Sequence, residues 1–271
     1  MIGDCTQFTP DVSRPNHYNQ PMIIDPLSDI VEYRCTANLN LYDSADCQAL
    51  ATQAAARRHL RVSRRDLDHG LDDKAIQVQL CEDDYLGWLA RADFDQIECA
   101  TTPYQPQPIS LAEIQSKLSA VIDFTYEKMN TPNYYLWGGT VGPNYDCSGL
   151  MQAAFASQGI WLPRDAYQQE TFTQKIDLDK TQLVLSCLHI GDLIFFGTPT
   201  KATHVGLYLG EGRYIHSSGP EKGRNGIGID VISDQGDRVA QGYYQQLRGA
   251  GRVVSSYQSV VLPSFSSEDS I

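Results

Sequence analysis

The sequence predicts an α+β protein in two parts: a small N-terminal β-barrel, then helices packed on an antiparallel sheet. Three observations carry this. Residues 31–44 and 75–94 read as short alternating apolar and polar segments, whereas 110–129 and the run after Cys147 carry apolar residues at helical spacing. The stretch "ATTPYQPQPIS" (100–110) is proline-bearing, poor in large apolar residues, and reads as a linker between the two regimes. From residue 191 onward, glycine turns divide the chain into successive strands.

Residues 1–25 are polar and are expected to form a loosely held arm. The barrel is expected over 26–100. Within it, Ala75-Ile-Gln-Val-Gln-Leu80 alternates as a half-buried strand does, and "EDDYLGWL" (82–89) is a turn followed by a strand. Residues 45–74 look less β-like and read as a long loop or a helical turn. The linker is placed at 101–109. Ser110-x-x-Glu113 is then a capping box, followed by Leu111, Ile114, Leu118, Val121 and Ile122 at helical spacing. A helix over 110–129 therefore opens the second domain, expected to reach 254.

A second helix starts near Cys147, with Leu150, Met151, Ala154 and Phe155 as its apolar stripe and Gly159 as its stop. "GDLIFFG" (191–197), "THVGLYLG" (203–210), "RYIHSSG" (213–219) and "GIGIDVI" (226–232) read as strands. The glycine-rich "GPEKGRNGIG" (219–228) lacks the strand–loop–helix setting and the Gly-Lys-Ser/Thr ending of a phosphate loop, so it reads as a connection. The serine-rich tail, 255–271, is expected to fray. No internal repeat is present.

The 271 residues are 42 % apolar and 20 % charged, as in a soluble globular protein. A net charge of −12 argues against nucleic acid or an anionic membrane surface as the main partner. The first twenty residues lack the basic and apolar regions of a signal peptide, and Cys5 follows Asp4, unlike a lipoprotein site. No apolar run approaches the roughly 20 residues of a spanning helix. The expectation is a cytoplasmic protein. The seven cysteines are odd in number and none has C-x-x-C spacing, so free, mostly buried thiols are expected, with a Cys35–Cys47 disulfide as the lesser alternative.

Cys147 attracts attention because Asp146 or a neighbour would cap the helix and leave the thiol in its first turn. Unpaired N–H groups and the positive dipole end favour a thiolate there. A buried structural thiol is the alternative, and position alone leaves both open. A nucleophile needs a base. His17, His59 and His69 read as solvated, and His189 as a surface loop residue. His204 and His216 flank a hairpin turning at Gly210-Glu211-Gly212, opposite each other or within one position. Cross-strand neighbours sit about 5 Å apart at Cβ. Alternation puts Val205, Leu207 and Leu209 on one face and His204, Gly206 and Tyr208 on the other. Two satisfied histidines on a sheet are the plain alternative. With Cys147 in the same domain they form a Cys–His–polar set, His204 taking the thiol proton and His216 orienting it.

"DCSGL", "GDLIFFG", "THVGLYLG" and "YIHSSG", with "YLWGG" (135–139) upstream and "LPRDAYQQ" (162–169) downstream, resemble the NlpC/P60 cysteine peptidases, a papain-like family acting on bacterial cell-wall peptides. "EYRCTANLNLYDS" and "CEDDYLGWL" resemble the bacterial SH3-like domain of the cytosolic γ-D-glutamyl-L-diamino-acid endopeptidases, cyanobacterial ones in particular. The resemblance implies a small SH3-like barrel beside a papain-like catalytic domain. Cys147, His204 and His216 fall on the family triad, and Tyr135 on a tyrosine that helps form the oxyanion hole. Asp146, Ser148 and Asp165 fall on cleft-lining positions, and Tyr85 on a tyrosine that closes the cleft against the substrate's free N-terminus. Helix capping for Asp146 and an ion pair with Arg164 for Asp165 are the structural alternatives. Ala166 replaces a usual serine, and Asp93 is a weaker candidate for a first-domain contact.

The implied reaction is hydrolysis of the γ-D-Glu–diamino-acid bond in murein tripeptides or tetrapeptides with a free N-terminal L-Ala, in cell-wall peptide recycling. It needs no metal and no organic cofactor. An inactive peptidoglycan-binding relic and an exported wall-lytic endopeptidase are the alternatives.

Overall fold

Seven short strands form the N-terminal unit of the computed structural model, which describes residues 30–64, 67, 74–178 and 185–259. They are β1 (Ile30–Cys35), β2 (Leu39–Tyr42), β3 (Leu50–Ala54), β4 (His59–Ser63), β5 (Ala75–Leu80), β6 (Leu86–Ala90) and β7 (Ile97–Cys99). All pairings are antiparallel, in the order β3-β2-β6-β5-β4-β1-β7. Every strand sends side chains into one buried cluster, among them Cys35, Leu41, Ala54, Leu60, Val78, Leu89 and Ile97. A sheet of strands this short can do that only by curving around its own core.

Strands β3 and β4 fall within 45–74, which the sequence left without regular structure. Their alternation is carried by few large residues: Leu60 and Val62 are the buried apolar side chains of β4, whereas β3 buries only Thr52 and Ala54. His59 is likewise not solvated. It lies half-buried on β4, its Nδ1 2.7 Å from Glu32 Oε1. His17, His69, Cys5 and the arm at 1–25 lie outside the described residues.

The second unit pairs six strands in the order β12-β11-β10-β9-β13-β8, again all antiparallel. These are β8 (Gln174–Ile176), β9 (Leu193–Gly197), β10 (Ala202–Gly210), β11 (Arg213–Ser218), β12 (Gly226–Val231) and β13 (Leu247–Arg252). Helices α1 (Leu111–Asn130), α2 (Cys147–Ala156) and α3 (Ala166–Phe172) precede the main strands, and α4 (Arg238–Gln245) lies between β12 and β13. One face of the sheet packs Val205, Leu207 and Ile215 against Ile114, Val121, Leu150 and Phe155 of α1 and α2. The other packs Phe196, Tyr208 and Tyr214 against Val239 and Tyr243 of α4.

Helix α1 begins at the expected capping box: Glu113 N donates to Ser110 Oγ, and Ser110 N donates back to Glu113 Oε2. Leu111, expected on the core stripe, is 42 % exposed, and Ile114 is the first buried residue of the helix. On α2 all four stripe residues are fully buried, and Gly159 takes φ +75, which a residue with a side chain rarely adopts.

The tail does not fray at 255. Tyr257 N donates to Trp161 O, Trp161 N to Ser256 Oγ, and Ser259 Oγ to Asp84 Oδ1 at 2.6 Å, so residues 256–259 strap the second unit to the first. The linker is held as well, through Tyr104 N donating to Glu32 and Gln258 Nε2 donating to Gln107 O. The six described cysteines are free thiols; Cys35 is buried in the barrel core while Cys47 sits in a turn at φ 57. Among the described residues no helix is long and apolar enough to cross a membrane.

Candidate active site

Cys147 is the first residue of α2. Asp146 caps the helix, its Oδ1 accepting from Gly149 N at 2.7 Å. Gly149 itself is required. A Cβ there would lie 2.0 Å from Gly139 O, so the "YLWGG" segment rests directly on the helix start. The thiol is buried between the backbone N–H groups of Ser148 and Val205, the residue after His204.

Burial dominates its electrostatics. Desolvation, then the Asp146 carboxylate, push the Cys147 thiol up to about 12; the two backbone N–H groups and Arg164 pull the other way and are outweighed. Helix position therefore does not give a resting thiolate. His204 is held well below its ordinary value, first by burial and then by His216 and Lys222. Both shifts favour the uncharged forms, a thiol on Cys147 and a neutral imidazole on His204.

The strand register corrects the spacing of the histidines. Leu207 pairs with Ile215, which sets His216 across from Gly206 and diagonal to His204. They still share a face, with His204 Nε2 2.7 Å from His216 Nδ1. Gly206 makes that approach possible, since a Cβ there would stand 3.2 Å from His216 Cβ and 2.7 Å from the Tyr214 ring.

Three partners of this pair escaped sequence reasoning. Asp230 Oδ2 lies 2.6 Å from His216 Nε2, and Arg224 Nη2 donates to Asp230 Oδ1 at 2.6 Å. Tyr243 stacks on His204, with centroids 4.1 Å apart and planes at 22°, and its hydroxyl is 2.7 Å from Ser218 Oγ. The signal for Asp230 was an acid at an inward position of an alternating strand, two residues from Gly228, the partner of His216. Arg224 and Tyr243 carried no comparable signal, coming from a connection and from a helix the sequence reading did not identify.

Asp146, Ser148 and Arg164 form one buried group. Arg164 is 1 % exposed and donates to both oxygens of Asp146 (3.1 and 2.5 Å), to Ser148 Oγ and, across the domain boundary, to Thr52 Oγ1 at 2.8 Å. Asp146 Oδ2 also accepts from Gly138 N. Both its oxygens are thus committed to capping and to the ion pair.

Asp165 caps α3, its backbone N–H donating to Gln168 Oε1. Its carboxylate does not take the guanidinium, which Asp146 holds. Burial raises the Asp165 carboxyl to about 6, against the opposing pull of the nearby Arg164 charge. Tyr85 packs partly buried against the barrel core and is close enough to act on Arg164. The Tyr135 hydroxyl is pushed up by burial and then by the charge of Cys147. Asp93 lies in a short turn (Arg91–Gln96), bonded to Gln96 and close to Cys47, away from this group. His189 is exposed, as expected.

The domain boundary is bonded throughout. Gln53 Oε1 accepts from Thr140 N and Val141 N, and Gln53 O from Thr140 Oγ1. Asp83 accepts from Arg58 and from Gln152 of α2. Arg58 also lies over the Trp161 ring at 4.8 Å.

Residues 132–247 match the NlpC/P60 family, and residues 41–94 match the bacterial dipeptidyl-peptidase SH3 domain. The chain therefore carries an NlpC/P60 domain behind a bacterial SH3 domain of this kind. Among curated proteins, the γ-D-glutamyl-L-lysine dipeptidyl-peptidase of Bacillus subtilis is 38 % identical over 102 residues, covering 36 % of this chain and 30 % of that protein. The Bacillus cereus protein of the same name is 32 % identical over 121 residues, covering 44 % and 32 %. The bifunctional muramidase/DL-endopeptidase CwlT of Bacillus subtilis is 42 % identical over 88 residues, covering 31 % and 25 %. The aligned region is thus under a third of the length of each of these relatives. Among solved structures, an NlpC/P60 family protein from Bacillus cereus covers 85 % of this chain and 65 % of its own, at 24 % identity and a TM-score of 0.41.

Proposed function

We propose that the protein is a cysteine peptidase that hydrolyses the γ-D-Glu–diamino-acid bond of murein peptides carrying a free N-terminal L-Ala. Cys147 Sγ attacks the γ-carbonyl carbon while its proton passes to His204. The S–C bond forms as the carbonyl becomes an oxyanion, next to the Ser148 N–H and the Tyr135 hydroxyl. The C–N bond then breaks, and the His204 imidazolium returns the proton to the leaving amine. Water, deprotonated by His204, hydrolyses the thioester and restores the thiol.

The observation that carries this reading is the convergence on α2. Its first residue is the thiol, its flanking residues are bonded to Arg164, and Arg164 is bonded to Thr52 of the SH3 domain. The SH3 domain is thereby joined to the start of α2, and to Tyr85 and Asp165, both near Arg164, we assign the reception of a short, charged N-terminus. A carboxylate raised by burial gains most from an ammonium partner, through a charge-assisted hydrogen bond. The names of the Bacillus relatives support the same bond class. A recycling role in the cytoplasm belongs to the same proposal, and cell fractionation tests it.

The direct test is incubation with L-Ala-γ-D-Glu-meso-diaminopimelate and with its L-Lys counterpart, products identified by mass spectrometry. Release of L-Ala-D-Glu is expected from at least one. Intact peptides after long incubation with folded protein would overturn the reading.

A further inference from the structure

We propose that Asp230, held in place by Arg224, is a positioning residue that fixes the protons of both histidines and leaves the lone pair of His204 on the nitrogen available to Cys147. The inference rests on the reading of Cys147 and His204 as nucleophile and base.

A carboxylate only accepts hydrogen bonds. With Asp230 Oδ2 2.6 Å away, His216 must carry its proton on Nε2. Neutral His216 then offers Nδ1 as an acceptor, and His204 Nε2, 2.7 Å away, must be the donor. Neutral His204 is left with an unprotonated Nδ1. The proton order of the whole line is thus set at its far end. Both rings are fully desolvated, and burial is the largest cause holding each below its ordinary value, so the neutral forms are the relevant ones.

The Arg224 contact is built, not incidental. Its guanidinium lies across Gly228, where a Cβ would stand 2.1 Å from Nη1 and 2.6 Å from Cζ. Gly228 is the strand partner of His216, so glycine there opens the path by which Arg224 reaches Asp230. Arg224 Nε is buried with no hydrogen-bond partner among the described residues, a cost accepted for the bond that Nη2 makes. Burial raises the Asp230 carboxyl, yet the His216 hydrogen bond and the Arg224 charge outweigh it and hold it below its ordinary value. Asp230 therefore stays ionised and accepts at both ends.

Asp230→Asn is the informative variant, because Arg224 dictates its orientation. The amide must turn its oxygen to Arg224 and its NH2 to His216. Every proton in the line then reverses, and His204 presents N–H to the thiol. In a serine protease triad, such a tautomer error lowers kcat by about 10⁴.

The experiment measures two rates on wild type, Asp230→Asn, Arg224→Ala and the double variant, with circular dichroism as the folding control. One is site-resolved alkylation of Cys147 by iodoacetamide, read by mass spectrometry; the other is tripeptide cleavage. For Asp230→Asn both rates fall at least about tenfold, with kcat rather than KM affected. In the double variant the freed amide can turn its oxygen to His216, and both rates recover at least about threefold over the single Asn variant.

Asp230→Asn reacting at the wild-type rate, or a double variant no faster than Asp230→Asn, overturns the proposal; a purely structural role predicts the latter. Peptides untouched by wild type while the alkylation order holds would remove the peptidase reading and leave the relay standing. Cleavage by wild type without that alkylation order would do the reverse.

Discussion

Two buried polar networks meet at the start of α2, and they are built from different chemistry. The seam between the domains joins Arg58 to Glu82 and Asp83, Asp83 to Gln152, and Arg164 to Asp146, Ser148 and Thr52. The relay joins His204, His216, Asp230 and Arg224. Both bear the cost of desolvating polar groups. In the seam the cations are guanidinium groups, which do not lose their protons, so the network locks a geometry. In the centre of the relay stand two imidazoles, whose protons can shift. In the proposed reaction one network holds the thiol in place and the other handles its proton.

The sharpest way to break this division is to remove the group both networks serve. Cys147→Ala abolishes tripeptide cleavage, whereas Cys187→Ala, at an exposed position, leaves it unchanged. Progress curves with mass-spectrometric detection check both.

Next comes the seam. Arg164→Met strands the Asp146 carboxylate, so unfolding by urea should show a loss of about 3–5 kcal/mol. A loss under about 1 kcal/mol would mean that the seam is no lock. The same variant with its stability restored by low temperature should still cleave poorly, because Ser148 and Asp146 flank Cys147, the proposed nucleophile.

A smaller effect sharpens the division of substrate recognition. Asp165→Asn should lower kcat/KM for the free-amine tripeptide by about 10–100-fold, the value of one charge-assisted bond, and leave the N-acetylated peptide nearly unaffected. For the wild type, kcat/KM of the free peptide should rise with pH through about 6 as the carboxyl ionises.

The smallest effect concerns stability. The folded-state value of Asp165 lies above its unfolded value, so the folded state binds the proton more tightly. The stability from this group is full below about 4 and is lost as pH rises through about 6. Asp165→Asn should therefore be more stable to urea than wild type at pH 7.5, by an amount on the order of 1–2 kcal/mol, and the gap should close near pH 4.

What the sequence made legible follows from how local each signal is. The capping box at Ser110, the stripe on α2 and the shared face of His204 and His216 depend on spacing within one element or one hairpin, and each appears in the structure. Asp230 is joined to His216 only through the pairing of β11 with β12, and Arg224 reaches it across a glycine whose neighbour cannot be known before the sheet forms. The electrostatics of Cys147 stay open in the sequence for the same reason. Helix position is local and favours a thiolate, but burial is a tertiary property and overrides it. Strands β3 and β4 were missed because their large apolar side chains are few, and a curved sheet supplies the rest of the core.

The proposed division between a domain that performs the chemistry and one that sets the substrate's end is tested most directly by the ratio of kcat/KM for L-Ala-γ-D-Glu-diamino-acid peptide with a free and with an N-acetylated terminus. We predict a preference for the free amine of at least about 100-fold, combining the lost charge pair with the crowding of the acetyl group against the SH3 domain. Equal rates for the two peptides would contradict the account.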